Sequence, residues 1–292
     1  MYFNKKINLL VLIFILAFAS NVHASNSNKF IPTYDIFIDS KKLDLSEPPY
    51  LQNGTTMVPF RPVFEQLGLT IEWNKQQKQV VGRNSDYVIK FEIGSDSALI
   101  NGSAVKMPLA PVLQDGITYI PLRFVGTASG GSVELYGGEL NVVWILSALQ
   151  NQLFDAVIEK DVDLTKSLLK AGADPTTNIG PLGTAIFSFA DESVDIVALF
   201  LEYGMDVNYI DVRSSFPTTL LQNAAGGGHV DVVKFLLFAG ADPFLKSNND
   251  WTALEIAQYW QQQVASGYLH IIDPANTPSV ETYDEIISLL KE

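Results

Sequence analysis

The sequence predicts an α+β domain, an antiparallel sheet packed on short helices, followed by an all-α solenoid of about four helical hairpins. Two internal duplications of different period lead to that reading. Residues 31–147 alternate apolar and polar positions and repeat themselves at an offset of 62 residues. Residues 149–292 place apolar residues at helical spacing and repeat roughly every 34. A third observation is that no proline- or glycine-rich linker separates Trp144-Ile145-Leu146 from Leu149, so the two parts are expected to abut.

Ahead of both lies a stretch with the three parts of an export signal. Lys5 and Lys6 precede an apolar run from Ile7 to Ala19, and Val22-His23-Ala24 offers small residues at a cleavage position. The run is shorter than the roughly 20 residues needed to span a bilayer, so cleavage near Ala24 is expected rather than retention as an anchor. The expected boundaries are 1–24 for the signal peptide, 31–147 for the first domain and 149–292 for the second. The expected location is extracellular or cell-envelope associated. There is no cysteine, so an exported product relies on packing without disulfides.

In the first domain the offset pairs Ile38-Asp39 with Ile100-Asn101, Pro49 with Pro111, and Asn53-Gly54 with Asp115-Gly116. It also pairs Pro59-Phe60-Arg61 with Pro121-Leu122-Arg123, and Gly68 with Gly130. One half reads as a strand at 36–39, a turn, a short strand ending at Val58, a helix at 62–67, and a hairpin of 69–73 with 78–81. Pro62 suits a first helical turn, where a missing amide leaves no bond unmade. Residues 87–93 alternate as a half-buried strand. The second half repeats the order with a strand at 117–120, a weak helix at 122–129, and strands at 132–135 and 139–145. Strands outnumber helices, so one twisted antiparallel sheet wrapped on one or two helices is expected.

These residues carry a resemblance. The string NGTTMVPFRPVFEQLG from Asn53 to Gly68, followed by Ile71-Glu72-Trp73, resembles the copper amine oxidase N-terminal domain family. Ile100-Asn101-Gly102 and Ile120-Pro121-Leu122-Arg123-Phe124-Val125 match its second half. The second copy departs at Gly126-Thr127-Ala128-Ser129, where the family has a stronger helix, and at Leu135, where the first copy has Trp73. The resemblance implies an accessory, stalk-like, non-catalytic domain of the kind found in envelope proteins of Gram-positive bacteria. Copper is not expected with it. Such oxidases need clustered imidazoles, and the three histidines here, His23, His229 and His270, are scattered. Asn208-Tyr209-Ile210-Asp211 also lacks the Asn-Tyr-acid order of a quinone precursor.

The second domain is organised around residues 219–243, TLLQNAAGGGHVDVVKFLLFAGADP. At helical period this reads as helices at 220–225 and 230–238, with Val232, Val233, Leu236 and Leu237 on one face. Ala239-Gly240-Ala241-Asp242-Pro243 recurs as Ala171-Gly172-Ala173-Asp174-Pro175 and loosely as Tyr203-Gly204-Met205-Asp206-Val207. Each glycine follows a Leu-rich helix, where only glycine enters the left-handed conformation cheaply. Thr184, Thr219 and Thr252 stand where a helix start needs a capping oxygen. With Asn151 to Ala156 as an earlier unit, residues from about 149 onward resemble ankyrin repeats. None has the full T-P-L-H string: Ala185 and Phe187, Leu220 and Gln222, and Ala253 and Glu255 fill its Pro and His places. Residues 261–279 are expected to be an irregular loop, and 280–291 a closing helix.

The formal net charge is -13. The first domain contributes about -2 of it and the second about -13, with the signal's two lysines offsetting. The acidity argues against nucleic acid and anionic lipid as partners, since both need clustered Lys and Arg. Gly226-Gly227-Gly228 lacks the Lys-Ser/Thr of a phosphate loop and reads as a turn. Asn248-Asn249-Asp250 reads as a hairpin tip. Arg61 and Arg123 read as a duplicated ion pair with Glu65 or Glu72, with carboxylate or glycan binding as the alternative. No catalytic, cofactor or metal residues are expected, and the chain is read as a non-enzyme.

Function then falls to shape. The repeat resemblance implies a concave face of hairpin tips and first helices offered to a protein partner, the tips here being 175–183, 207–218 and 243–251. Tyr209, Arg213, Phe216, Phe244, Lys246 and Trp251 supply the aromatic and basic mixture of contact hot spots. The expected function is an exported non-enzymatic adaptor. The alternative is a cell-wall or glycan-binding protein acting through the first domain.

Overall fold

A computed structural model describes residues 34–136, 141–180, 185–210, 217–247, 249–267 and 277–291. The expected signal peptide, Thr184, Arg213, Phe216 and His270 lie outside the described residues. The described chain divides into two compact units, one of residues up to 152 together with 177–180, the other of 153–176 and the residues from 185 on.

The first unit begins with β1 (Asp35–Ile38), β2 (Lys41–Lys42), β3 (Tyr50–Gln52) and β4 (Thr55–Pro59), which runs into α1 (Phe60–Gln66). The strands β5 (Thr70–Asn74), β6 (Gln79–Arg83), β7 (Val88–Glu92), β8 (Ser97–Ile100) and β9 (Ser103–Lys106) follow. Then come β10 (Val112–Gln114), β11 (Ile117–Pro121), α2 (Leu122–Ala128), β12 (Ser132–Tyr136) and β13 (Val142–Leu146). Pro62 sits third in α1, within the first turn as expected.

The duplication is built into the strand register. β4 and β11 are equivalents at the offset of 62 and pair antiparallel with Val58 opposite Ile120, themselves equivalents, so a local two-fold axis passes through that pair. Together with β3 and β10 they form a central sheet in the order β10-β11-β4-β3. One flank is the antiparallel sheet β5-β6-β7-β8-β9. The other, β12-β13-β1-β2, is the same arrangement without a counterpart of β7, so β1 lies directly against β13 and pairs with it in parallel. Three sheets therefore replace the single sheet expected. The cause is local: Pro59 and Pro121, with φ -55° and -58° and the same ψ of 117°, turn the chain out of the central sheet into a helix.

The core lies between these layers. Phe60, Phe64 and Phe91 meet edge to face with centroids 5.5, 5.8 and 6.2 Å apart, among buried Ile36, Ile38, Val63, Val80, Ile89 and Val125. Gly82 of β6 is required by this packing, since a Cβ there would stand 2.4 Å from the Phe64 ring. On the β13 face, Phe37 stacks on Trp144 at 5.1 Å, the Trp144 indole donates to the Asn178 carbonyl at 3.0 Å, and the Asn178 amide donates to Ser40 Oγ at 2.6 Å.

Among the described residues the second unit has four hairpins. α3 (Ala148–Glu159), whose first turn belongs to the first unit, is followed by α4 (Val162–Lys170), a single 3-10 turn (Ile186–Phe189), α5 (Val194–Glu202), α6 (Leu220–Gly227), α7 (Val230–Phe238), α8 (Ala253–Ala265) and α9 (Val280–Leu289). The glycine reading holds: Gly172, Gly204 and Gly240 have φ of 96°, 95° and 93°. The next amide closes each helix end, Ala173 onto Leu168, Met205 onto Phe200 and Ala241 onto Leu236, at 3.0, 2.9 and 2.9 Å. Asp161, Ser193, Thr219, Thr252 and Ser279 cap the helix starts, Thr219 and Thr252 in reciprocal boxes with Gln222 and Glu255.

Two expectations change. The second hairpin opens with one 3-10 turn, not a helix, because Ile186-Phe187-Ser188-Phe189 lacks the small, helix-favouring pair that Ala224-Ala225 gives α6. The start of the expected loop at 261–279 is helix, since α8 continues through Gln261, Gln262 and Gln263, all good helix formers, to Ala265, with Gly267 just beyond at φ 77°; residues 268–276 lie outside the described residues. Stacking buries a continuous spine of Leu153, Val157, Ile196, Phe200, Leu221, Ala224, Val233, Leu236, Ala257, Tyr283 and Ile286.

Candidate binding surfaces

The tips of the hairpins are organised by an aspartate in each. Asp174, Asp206 and Asp242 accept a hydrogen bond from the amide two residues on, at 2.8, 2.9 and 2.8 Å, which turns the chain out of the left-handed glycine. Neighbouring tips are then tied together, the Asp242 amide donating to Asn208 Oδ1 at 2.8 Å. The tip at 247–251 closes through Ser247 N to Trp251 O at 2.8 Å and Asp250 N to Ser247 O at 2.9 Å, with Asp250 at φ 65°. The positive φ expected of the Asn and Asp there is taken by Asp250; Asn249 does not take it, and Asn248 lies outside the described residues.

The predicted contact residues part company on this frame. Phe244 is 78% exposed and projects from the tip. Lys246 pairs with Asp250 at 3.1 Å, both side chains largely in water, so the pair costs little to open. Trp251 is half-buried against Tyr259, centroids 5.2 Å apart, and Tyr209 is half-buried with its ring edge-on to Phe187 at 5.6 Å. Those two rings are largely committed to holding tips in place. The segment 177–180, counted among the tips from sequence, instead packs with the first unit, with Asn178 1% exposed. Sequence reasoning missed Phe238, the last residue of α7, which is 91% exposed. Its place off the Val232-Val233-Leu236 stripe was readable from the helical period.

In the first unit a cleft of about 670 Å³ lies beside α1. Arg61, Lys75 and Lys78 line it together with Trp73, Leu113 and Ile117. Of the duplicated ion pair expected for Arg61 and Arg123, only the Arg61–Glu65 half forms; at Arg123 the equivalent of Glu65 is Thr127. Arg61 approaches Glu65 at 3.6 Å, Glu72 is taken by Arg83 at 3.0 Å, and Arg123 has no ion pair among the described residues. The β5–β6 pairing places Arg83 across from Thr70, beside Glu72 on the same face, so Glu72 is taken by Arg83.

Two family models match, Copper amine oxidase N-terminal domain over residues 37–144 and Ankyrin repeats, in three copies, over residues 153–247. The chain is a fusion of these two modules. An E3 ubiquitin-protein ligase, hecd-1 of Caenorhabditis elegans, is 28% identical over 153 residues, 50% of this chain. The chain spans 6% of that protein's length, and the ligase activity is that protein's. Both modules are of types that fit a non-enzyme. Among the described residues no group of three or more His, Cys, Asp or Glu could hold a metal ion, and no helix is long and apolar enough to cross a membrane.

The ankyrin repeats differ from their pattern in informative ways. Gln222, at the His place, is 2% exposed. It accepts from the Thr219 amide at 2.9 Å and donates to the carbonyls of Leu245 and Trp251 at 2.8 and 3.1 Å, so one amide caps its helix and anchors the next tip. The turns opposite the tips carry charge. Lys160 meets Glu192 at 2.5 Å, and His229 Nε2 lies 3.9 Å from Asp191 Oδ2. Burial, then the adjacent Glu192 charge, pushes the Asp191 carboxyl up to about 7, against the pull of its own backbone hydrogen bond and Lys160. Burial likewise lowers the His229 imidazole, with Glu192 opposing. Tyr283, fully buried, donates to the Gly226 carbonyl at 2.7 Å, and burial raises its phenol.

Proposed function

We propose that the protein is an exported, non-enzymatic adaptor whose ankyrin repeats bind a protein partner through their hairpin tips, the first domain serving as the envelope-associated module. Ankyrin repeats are protein-interaction modules, and that much follows from the family match. The observation that carries the site is Phe244, 78% exposed on a tip that Asp242, Asn208 and Gln222 hold rigid. A large apolar ring on a preorganised loop loses little entropy on binding, and its burial contributes about 1.5–3 kcal/mol. Lys246 flanks it with a charge whose partner is exposed and easily exchanged. Export rests on Lys5-Lys6, the apolar run after them and Val22-His23-Ala24.

Crosslinking on intact cells with the full chain, followed by mass spectrometry, tests the partner. A protein should be captured by the wild type and lost at least tenfold in Phe244→Ala. Capture unchanged by that substitution and by Lys246→Ala places the binding face elsewhere. N-terminal sequencing of the secreted form tests export, with Ser25 expected as the first residue.

A further inference from the structure

We propose that the cleft beside α1 binds an acidic, carboxylate-bearing polysaccharide. The site belongs to the first unit alone and does not rest on the protein-partner reading of the repeats. Its volume of about 670 Å³ is that of an ordinary small-ligand site. Its charge runs against the rest of the molecule: Arg61, Lys75 and Lys78 line it, no carboxylate does, and the chain as a whole stands at -13. These cations are available. Arg61 holds Glu65 only at 3.6 Å, with both side chains more than half exposed, and Lys75 and Lys78 have no ion pair among the described residues.

Between the cations the cleft is apolar. Trp73 is 44% exposed and Leu113 57%. The internal duplication separates what both halves share from what one half adds: Leu113 recurs as Leu51, itself 51% exposed, whereas the indole does not recur. At the offset of 62, Trp73, Lys75 and Lys78 correspond to Leu135, Gly137 and Leu140. The second half builds the equivalent strand pair, β12 with β13, with no indole or ammonium group at those three places. The ring and the two lysines are therefore additions to the scaffold on one side of the two-fold axis only.

A flat indole beside cations suits a pyranose that carries a carboxylate. The ring's C–H face packs on the indole, the carboxylate pairs in a fork with a guanidinium such as Arg61, and the next acidic sugar along a polymer reaches the lysines. An acidic peptide fits less well. Peptides draw affinity from main-chain bonds to a strand edge, and β10, the edge strand that contributes Leu113, is three residues long.

The test titrates the full-length protein with a galacturonate hexamer, followed by calorimetry, with uncharged maltohexaose and a hexaglutamate peptide as parallel arms. Saturable binding of the galacturonate is expected, weakened at least tenfold by Trp73→Leu and by Lys75→Gly with Lys78→Leu, and weakened by 0.5 M salt on the order expected for a few exposed ion pairs. These variants carry the residues of the second half, and circular dichroism checks that they fold. No binding of the galacturonate, undiminished binding in the folded variants, equal binding of maltohexaose, or equal or tighter binding of hexaglutamate would each overturn the proposal. Loss of the repeat partner in Phe244→Ala leaves this result untouched, so the two readings fail separately.

Discussion

Replacing Gln222 by leucine removes three hydrogen bonds from a site that is 2% exposed while keeping the side chain's approximate volume. The Trp251 carbonyl retains a partner in the Ser247 amide at 2.8 Å, so it is not orphaned. The Thr219 amide, on a residue that is itself 2% exposed, loses its acceptor outright, and the Leu245 carbonyl loses its donor near water. An unsatisfied buried group costs about 1–3 kcal/mol and a partly hydrated one less. The expected loss is therefore about 2–3 kcal/mol, read as a lower urea midpoint at unchanged slope. Gln222→Glu separates the two roles: a carboxylate can still cap Thr219, as Glu255 caps Thr252, but it faces the carbonyls of Leu245 and Trp251 with no donor. Hydrogen exchange at the Ser247 and Asp250 amides should accelerate in both variants, while the helix-start amides should stay protected in Gln222→Glu alone. A cost under about 0.5 kcal/mol for Gln222→Leu, with the tip amides unchanged, would show that the tip holds itself and refute the reasoning.

Other consequences follow from the same packing. Tyr283→Phe keeps the ring and deletes the bond to the Gly226 carbonyl, and should cost about 1–2 kcal/mol by urea unfolding; no change would mean that the carbonyl finds water. Gly82→Ala should cost about 1–3 kcal/mol in thermal unfolding, because the Phe64 ring it would strike is fully buried. Asp191 binds its proton up to about 7 in the fold and only to about 3.8 when unfolded, so its contribution is greatest below pH 3.8 and is lost as pH rises through 7. His229, lowered in the fold, works in the opposite sense below its unfolded value of 6.5. Asp191→Asn should thus gain on the wild type between pH 5 and pH 8 by about 2–3 kcal/mol, with chemical unfolding at both pH values as the measure; a pH-independent difference would mean that the carboxylate stays solvated.

Much of the architecture was legible because its determinants act within a few residues. Gly172, Gly204 and Gly240 take the positive φ that the helix ends demanded, and Thr219 and Thr252 cap as their spacing implied. The offset of 62 likewise surfaced as a register in which Val58 meets its own equivalent, Ile120. Candidate site residues were harder to rank, because exposure depends on what stacks alongside. Trp251 and Phe244 looked alike in sequence, yet Tyr259 covers one and nothing comparable covers the other.

The sequence by itself determined the two modules, their order, the hairpin count and the chemistry of each turn, since periodicity, caps and left-handed glycines are written in neighbouring residues. Only the tertiary structure decided that Gln222 would serve carbonyls 23 and 29 positions away, that Asp191 would be desolvated, and that Trp73 would share a cleft with Leu113. Those outcomes depend on which distant segments close over a side chain, and burial of that kind leaves no local trace in the order of the residues.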